Sequence, residues 1–183
     1  VPTTIGMAGL AAGGRAGEAD AAAGQIPDPG AELEAAPAGL RWEVLAPRAE
    51  VTPADTNSAS VVLMVDAGKT RLLFLGDTGL EEQQEILSRI DQLEADVIKV
   101  SHHGSRDQDQ GLPARVGAAW ALVSVGADNG YGHPSGETLA ALANSGTRTL
   151  RTDTSGSIAL SPEDGALRPW VERQATPDVG PHP

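Results

Sequence analysis

From Leu40 onward the chain alternates short apolar runs with polar turns, and each run carries the period of a particular element. Leu40-Arg-Trp-Glu-Val-Leu45 alternates as a half-buried strand does, until Pro47 stops it. Ser60 to Asp66 and Arg71 to Asp77 are apolar runs on either side of Ala67-Gly-Lys-Thr70, which predicts a hairpin. Their near-continuous apolarity predicts burial on both faces. Gly79 to Leu93 places Leu80, Ile86, Leu87, Ile90 and Leu93 at helical spacing with acids in the first turn, the pattern of an amphipathic helix aligned with its own dipole. Asp96 to Val100 and Trp120 to Val125 are further strands, and Ser135 caps a helix through Ala143 that Gly146 ends. Thr149 to Asp153, a turn at Ser155-Gly156, and Ser157 to Leu160 predict a last hairpin, with one more strand after Pro162 through Trp170. The fold class is therefore mixed α/β, a mixed sheet with helices packed on it.

The segments outside this pattern differ in composition. Residues 1–39 are dominated by Ala, Gly, Pro and acids with no persistent period, so they are expected to be a disordered linker or insertion. Residues 40–172 form the expected domain and 173–183 a Pro-rich tail that contains His182. A chain of 183 residues with 40% apolar content suits one ordinary domain. Its net charge of -12 argues against a general basic surface for nucleic acid, so any polyanion must be held locally, by a metal or a few cations. The absence of Cys excludes disulfides, thiolate metal sites and Cys nucleophiles. There is no apolar run of about 20 residues, as a membrane span needs, and no basic then apolar leader after Val1. The chain itself is expected to be soluble and a piece of something longer.

The candidate chemistry lies at the ends of the predicted strands. Asp77 follows Leu72-Leu-Phe-Leu75 and Gly76, at the sheet edge where layered folds hold ligands; alternatively it caps the helix that starts near Gly79. His102 and His103 follow the strand Asp96-Val-Ile-Lys-Val100 and precede Gly104 and Ser105. In extended backbone the two imidazoles would point to opposite sides, one to a metal and one to substrate; otherwise they are exposed loop residues. Lys99 is a strand residue or a buried cation that clamps a phosphate. Gly104 and Ser105 offer an amide and a hydroxyl to an oxyanion, although no nucleophile elbow surrounds Ser105. His133, in Asn129-Gly-Tyr-Gly-His-Pro134, lies near the N-terminus of the next helix, or belongs to a purely structural turn. Asp153 in Arg151-Thr-Asp is a hairpin turn residue or a functional one. A carboxylate and imidazoles on rigid strand ends are what a metal-assisted phosphodiester hydrolase uses.

Taken in order, Asn57-Ser-Ala-Ser60, Phe74-Leu-Gly-Asp77, Asp96 to Ser105, Val123-Ser-Val-Gly126, Asn129 to Pro134, Arg151-Thr-Asp153 and Gly156-Ser-Ile158 resemble one family. It is the metallo-β-lactamase-fold domain at the C-terminal end of ComEC-type competence proteins, which take up DNA during natural transformation. The resemblance covers about residues 40 to 160. It implies a four-layer αββα sandwich and a two-metal hydrolase, Zn or Mn, acting on DNA phosphodiesters. Asp77 would then bridge metals and His103 would ligate one. His102 would lie beside the scissile phosphate, with Lys99, Ser105 and His133 lining the site. The implied partners are DNA, an upstream half-domain and a transmembrane channel, which would put the parent protein in the cell membrane; no small-molecule cofactor is expected.

One part of that family's pattern is missing. Its main metal signature, His-x-His-x-Asp-His or His-x-Asp-x-Asp-His, belongs before the Gly-Asp strand, and residues 1–76 contain no His. Ser58 stands where the family pattern has Asn. The expectation is that the first half of the hydrolase domain and the channel precede Val1, and that this chain alone is nearly inactive. A free-standing hydrolase of a small phosphodiester and a non-catalytic half-domain are the alternatives.

Overall fold

The computed structural model describes residues 5–7 and 40–173 of the chain. In chain order the first elements are β1 (Ile5–Met7), β2 (Leu40–Ala46), β3 (Val62–Ala67), β4 (Thr70–Phe74), α1 (Leu80–Arg89) and β5 (Val97–Lys99). There follow α2 (Leu112–Val116), β6 (Trp120–Val123), α3 (Gly136–Asn144), β7 (Arg148–Arg151), α4 (Thr152–Ser155), β8 (Ile158–Glu163) and β9 (Ala166–Val171). Strands β2 to β7 stand side by side in chain order as a six-stranded sheet, while β1, β8 and β9 make a three-stranded one.

The β3–β4 hairpin forms where the sequence predicts it, about Gly68-Lys69, with Gly68 at a φ of +68° that a side chain would disfavour. From β4 to β7 the strands are parallel, and each crossover carries a helix: α1, then α2, then α3. Those helices cover one face. Leu73, Leu75, Ile98, Val100, Ala121 and Val123 share a single core with Ile86 of α1, Val116 of α2 and Leu142 of α3. The alternate residues Leu72, Val97 and Trp120 form a second core with Leu160 of β8, flanked by Phe74, Leu122, Leu150 and Leu167. Strands β4 to β6 are thus buried on both faces, which is why their sequences are apolar almost without a break. The layers are helices, large sheet and small sheet, an α/β sandwich.

Four features depart from the sequence reading. The predicted hairpin of Thr149–Asp153 with Ser157–Leu160 does not form: β7 pairs in parallel with β6, and β8 crosses to the small sheet. The hydroxyl of Thr152 decides this, because it accepts the Val125 amide and donates to the Val125 carbonyl, each at 2.7 Å, fastening the end of β7 to the continuation of β6. Asp153 is then no hairpin turn residue but accepts from Arg151 bidentately, Nε to Oδ1 and Nη2 to Oδ2, as α4 begins. Helix α1 ends at Arg89, and Leu93, fully buried, enters the core from the following loop. Helix α2 was not foreseen, although Pro113 in its first turn and Gly117 in the left-handed conformation at its end are the usual boundary signals. Of the segment read as linker, Ile5–Met7 adds a strand to β8; the rest of it and the tail from Gln174 lie outside the described residues.

Two measurements test this layering. Leu160 is 7% exposed at the inter-sheet contact, so Leu160→Ala should lower unfolding free energy by about 2–5 kcal/mol in chemical denaturation; a loss under about 0.5 kcal/mol would mean that the small sheet does not pack there. The Arg151 guanidinium holds the Asp153 carboxyl below its ordinary value of 3.8, so the stabilisation is complete above that pH and is lost as pH falls through the lower folded value. Asp153→Asn should therefore destabilise the chain at pH 7 by roughly 1–3 kcal/mol, with the gap to the parent chain closing in acid. A pH-independent gap would contradict this role for the ion pair.

Candidate functional site

Parallel strands end at a common edge, and here the register is level: Phe74, Lys99, Leu122 and Leu150 are successive partners across β4, β5, β6 and β7. Beyond those residues the chain leaves the sheet at Asp77, at Ser101–Gly104, at Ser124-Val125 and at Arg151–Asp153. The sequence-predicted candidates therefore collect at the carboxyl edge of four neighbouring strands, the place where ligands sit in open α/β sheets.

At the first corner Gly76 takes a φ of +57°, and a Cβ there would lie 2.7 Å from Cβ of Ser60. No larger residue fits. The Ser60 hydroxyl accepts the Asp77 amide at 3.0 Å, while the Gly76 carbonyl accepts the His102 amide at 3.1 Å. Fully buried Ser101 donates to the Thr78 carbonyl at 2.6 Å, and Thr78, also fully buried, donates to the Leu75 carbonyl at 2.8 Å. These bonds tie the Asp77 corner to the His-His turn. The N-cap of α1 is Gly79, whose amide is taken by Glu82, so the Asp77 carboxylate is not spent on capping that helix.

The His-His segment is not extended, contrary to expectation. His102, His103 and Gly104 are all left-handed, with φ of 41°, 54° and 84°. For a residue with a side chain that costs about 1–2 kcal/mol, and two in succession persist only where the surroundings over-determine them. The surroundings do so here. A Cβ on Gly104 would lie 2.5 Å from Cβ of Pro134, and the Gly104 carbonyl accepts the Ser135 amide at 2.8 Å. Thr138 of α3 donates to the Ser105 carbonyl at 2.8 Å, and its own amide is capped by Ser135 at 3.1 Å. The left-handed turn thereby presses the His102-His103 loop onto the His133-Pro134 loop. The ring of His102 comes to lie 6.2 Å from that of His103 and 5.6 Å from that of His133.

The candidate residues differ in environment. His103 is exposed, and its Nδ1 lies 2.6 Å from the Ser124 carbonyl. A carbonyl only accepts, so Nδ1 carries the proton and Nε2 is left as the free acceptor, the arrangement common in metal-binding histidines. His133 is held below its ordinary pKa, first by desolvation and then by its neighbours His102 and His103. Lys99 is half-buried and donates to the Val100 carbonyl at 2.8 Å; burial pulls its pKa down and the Asp77 charge opposes that shift. Ser105 is buried, its hydroxyl taking the Asp107 amide at 3.2 Å. Its observed bonds hold the turn together. His182 lies outside the described residues.

The Nε2 of His103 is a suitable donor, yet among the described residues no group of three or more His, Asp or Glu side chains gathers closely enough to hold an ion. A dinuclear centre needs several ligands per ion, so the residues present do not make one. Sequence reasoning missed the hydroxyls that fix these loops: half-buried Ser60 and buried Thr78, Ser101 and Thr138. Their signal is a Ser or Thr directly at a strand or helix end, where a buried hydroxyl must find a partner.

Comparison with known proteins adds to this geometry. No protein-family model matches the chain. It is 35% identical over 120 residues to ComE operon protein 3 of Bacillus subtilis, covering 65% of this chain and 15% of the relative. It is 30% identical over 132 residues to competence protein ComA of Neisseria gonorrhoeae, 71% of this chain and 19% of the relative. To recombination protein 2 of Haemophilus influenzae the identity is 31% over 124 residues, 67% of this chain and 15% of the relative. The matched part thus spans under a fifth of each relative's length. An ordered series of motifs and three such relatives make this chain a homologue of one segment of the ComEC-type competence proteins.

Proposed function

We propose that this chain supplies part of the phosphodiester-handling site of a metal-dependent hydrolase of metallo-β-lactamase type, within a membrane-borne competence protein that acts on DNA during uptake. The observation that carries the reading is the convergence of Asp77, Lys99, His102, His103 and His133 at one carboxyl edge, held by a strained turn that a tight inter-loop contact and several hydrogen bonds sustain. Strain of this kind is costly and clusters at functional sites. Among the described residues no helix is long and apolar enough to cross a membrane, so in this reading the anchor belongs to another part of the parent protein.

In this reading each side chain has its own task. Asp77 offers a carboxylate from a corner that Ser60 and Gly76 fix, and His103 offers Nε2, the two donors that divalent Zn or Mn would meet here. Such ions would supply charge stabilisation and an activated water, with the remaining ligands coming from outside the described residues. His133, whose charged form is disfavoured by desolvation and by its imidazole neighbours, and His102 flank the place where a phosphate would lie. The Lys99 ammonium, close enough to Asp77 for their charges to interact, adds a fixed positive charge in a poorly solvated position. A non-catalytic role for the chain by itself is favoured by the missing third ligand among the described residues.

The test uses the longer protein that contains this segment, with metal content and Mn²⁺-dependent cleavage of linear DNA measured together. Asp77→Ala should remove both metal and activity. His103→Ala should lower both, whereas His102→Ala should lower turnover by on the order of 10²–10⁴-fold with metal retained. Unchanged activity in all three variants would show that the His-His-Gly-Ser segment is structural.

A further inference from the structure

The loop that delivers His133 also carries Tyr131, the only tyrosine in the chain, and its side of the site is open to solvent: Tyr131 is 86% exposed. A lone exposed aromatic is unremarkable in itself. This one stands on a braced turn beside the site. Its amide donates to Oδ1 of Asn129 at 3.1 Å, and the same Asn129 side chain donates from Nδ2 to the His133 carbonyl, so one residue fixes both ends of the turn. The Tyr131 ring lies nearly parallel to His133, 17° between planes and 6.1 Å between centroids, while His133 in turn lies 5.6 Å from His102. A flat aromatic surface thus stands at the rim of the imidazole cluster, on a turn whose backbone Asn129 braces.

The charge of the chain makes such a surface useful. At -12 overall it repels a polyanion at long range, so affinity for a nucleic-acid strand has to come from local contacts, among them ones that do not depend on charge. Stacking of a base on an aromatic ring is one, and it is tolerant of sequence because every base has a π-face. In duplex DNA the bases are already stacked on one another and present only their edges. From these observations we infer that Tyr131 is a stacking platform for one unpaired base of single-stranded DNA, placing the neighbouring phosphate at the His102-His133 side of the site. The inference rests on the proposed phosphodiester function and narrows its substrate to a single strand.

The experiment is binding, with no catalysis required. Single-stranded oligonucleotides bearing one 2-aminopurine, matched oligonucleotides in which the bases are replaced by abasic residues, and the corresponding duplex are titrated against the 183-residue chain. Stacking should quench the 2-aminopurine, the single strand should bind more tightly than the duplex, and Tyr131→Ala should weaken the base-bearing strand about ten-fold. Tyr131→Phe, which keeps the ring, should bind as the parent does, and binding of the abasic strand should not respond to either change. Equal affinity of the parent chain and Tyr131→Ala for the base-bearing strand would overturn the inference and point to a different contact for this ring, such as a protein surface. An equal loss on the abasic strand would overturn it too. If His102→Ala still weakens the abasic strand in those cases, the phosphate site stands while the platform falls; if no oligonucleotide binds the chain at all, the platform falls, and the proposed function is decided by the cleavage assay in the longer protein.

Discussion

The site depends on one close approach, that of Gly104 to Pro134. These residues lie on loops from different strand ends, and the space between them excludes even a methyl group. The contact, with the Ser135 amide on the Gly104 carbonyl, forces the chain to reverse as soon as β5 ends and puts His102 and His103 into left-handed backbone. Conformations that unfavourable persist only because the Gly76 carbonyl, the Ser124 carbonyl, Ser135 and Thr138 hold the turn from several sides.

The large sheet makes this economy possible. Parallel strands bring their carboxyl ends to one edge without further design, and the helical crossovers carry the chain back to the opposite end each time. Burial on both faces makes β4 to β6 a stiff platform, so the corners that follow them vary little in position. The polar network beneath the site, Thr78 with Ser101 and Ser135 with Thr138, is buried and internally bonded, which adds rigidity at the depth where water would otherwise compete.

Much of this was legible in the chain itself, for reasons that can be named. The period of the apolar residues placed β2 to β6, α1 and α3, because a strand buried on two faces and a helix buried on one leave different spacings. Asp77, His102, His103 and His133 stood out because charged and imidazole groups at the ends of apolar strands are seldom packing residues. What failed was non-local. The hairpin of β7 with β8 looked right by turn chemistry, yet Thr152 fastens the chain to Val125, far away in sequence. The left-handed conformation of the His pair could not be read from local pattern either, since it is imposed by Pro134, some thirty residues on. Helix α2 is only five residues long, too short for a period to show.

On the proposed function this edge is a partial site that would complete a metal centre only with ligands from outside the 183-residue chain. Calorimetric titration of the 183-residue chain with Zn²⁺ and with Mn²⁺ tests it most directly. Weak binding is expected, well short of two ions held tightly per chain. Two tight sites would contradict it, because the chain would then assemble a complete centre from its own residues.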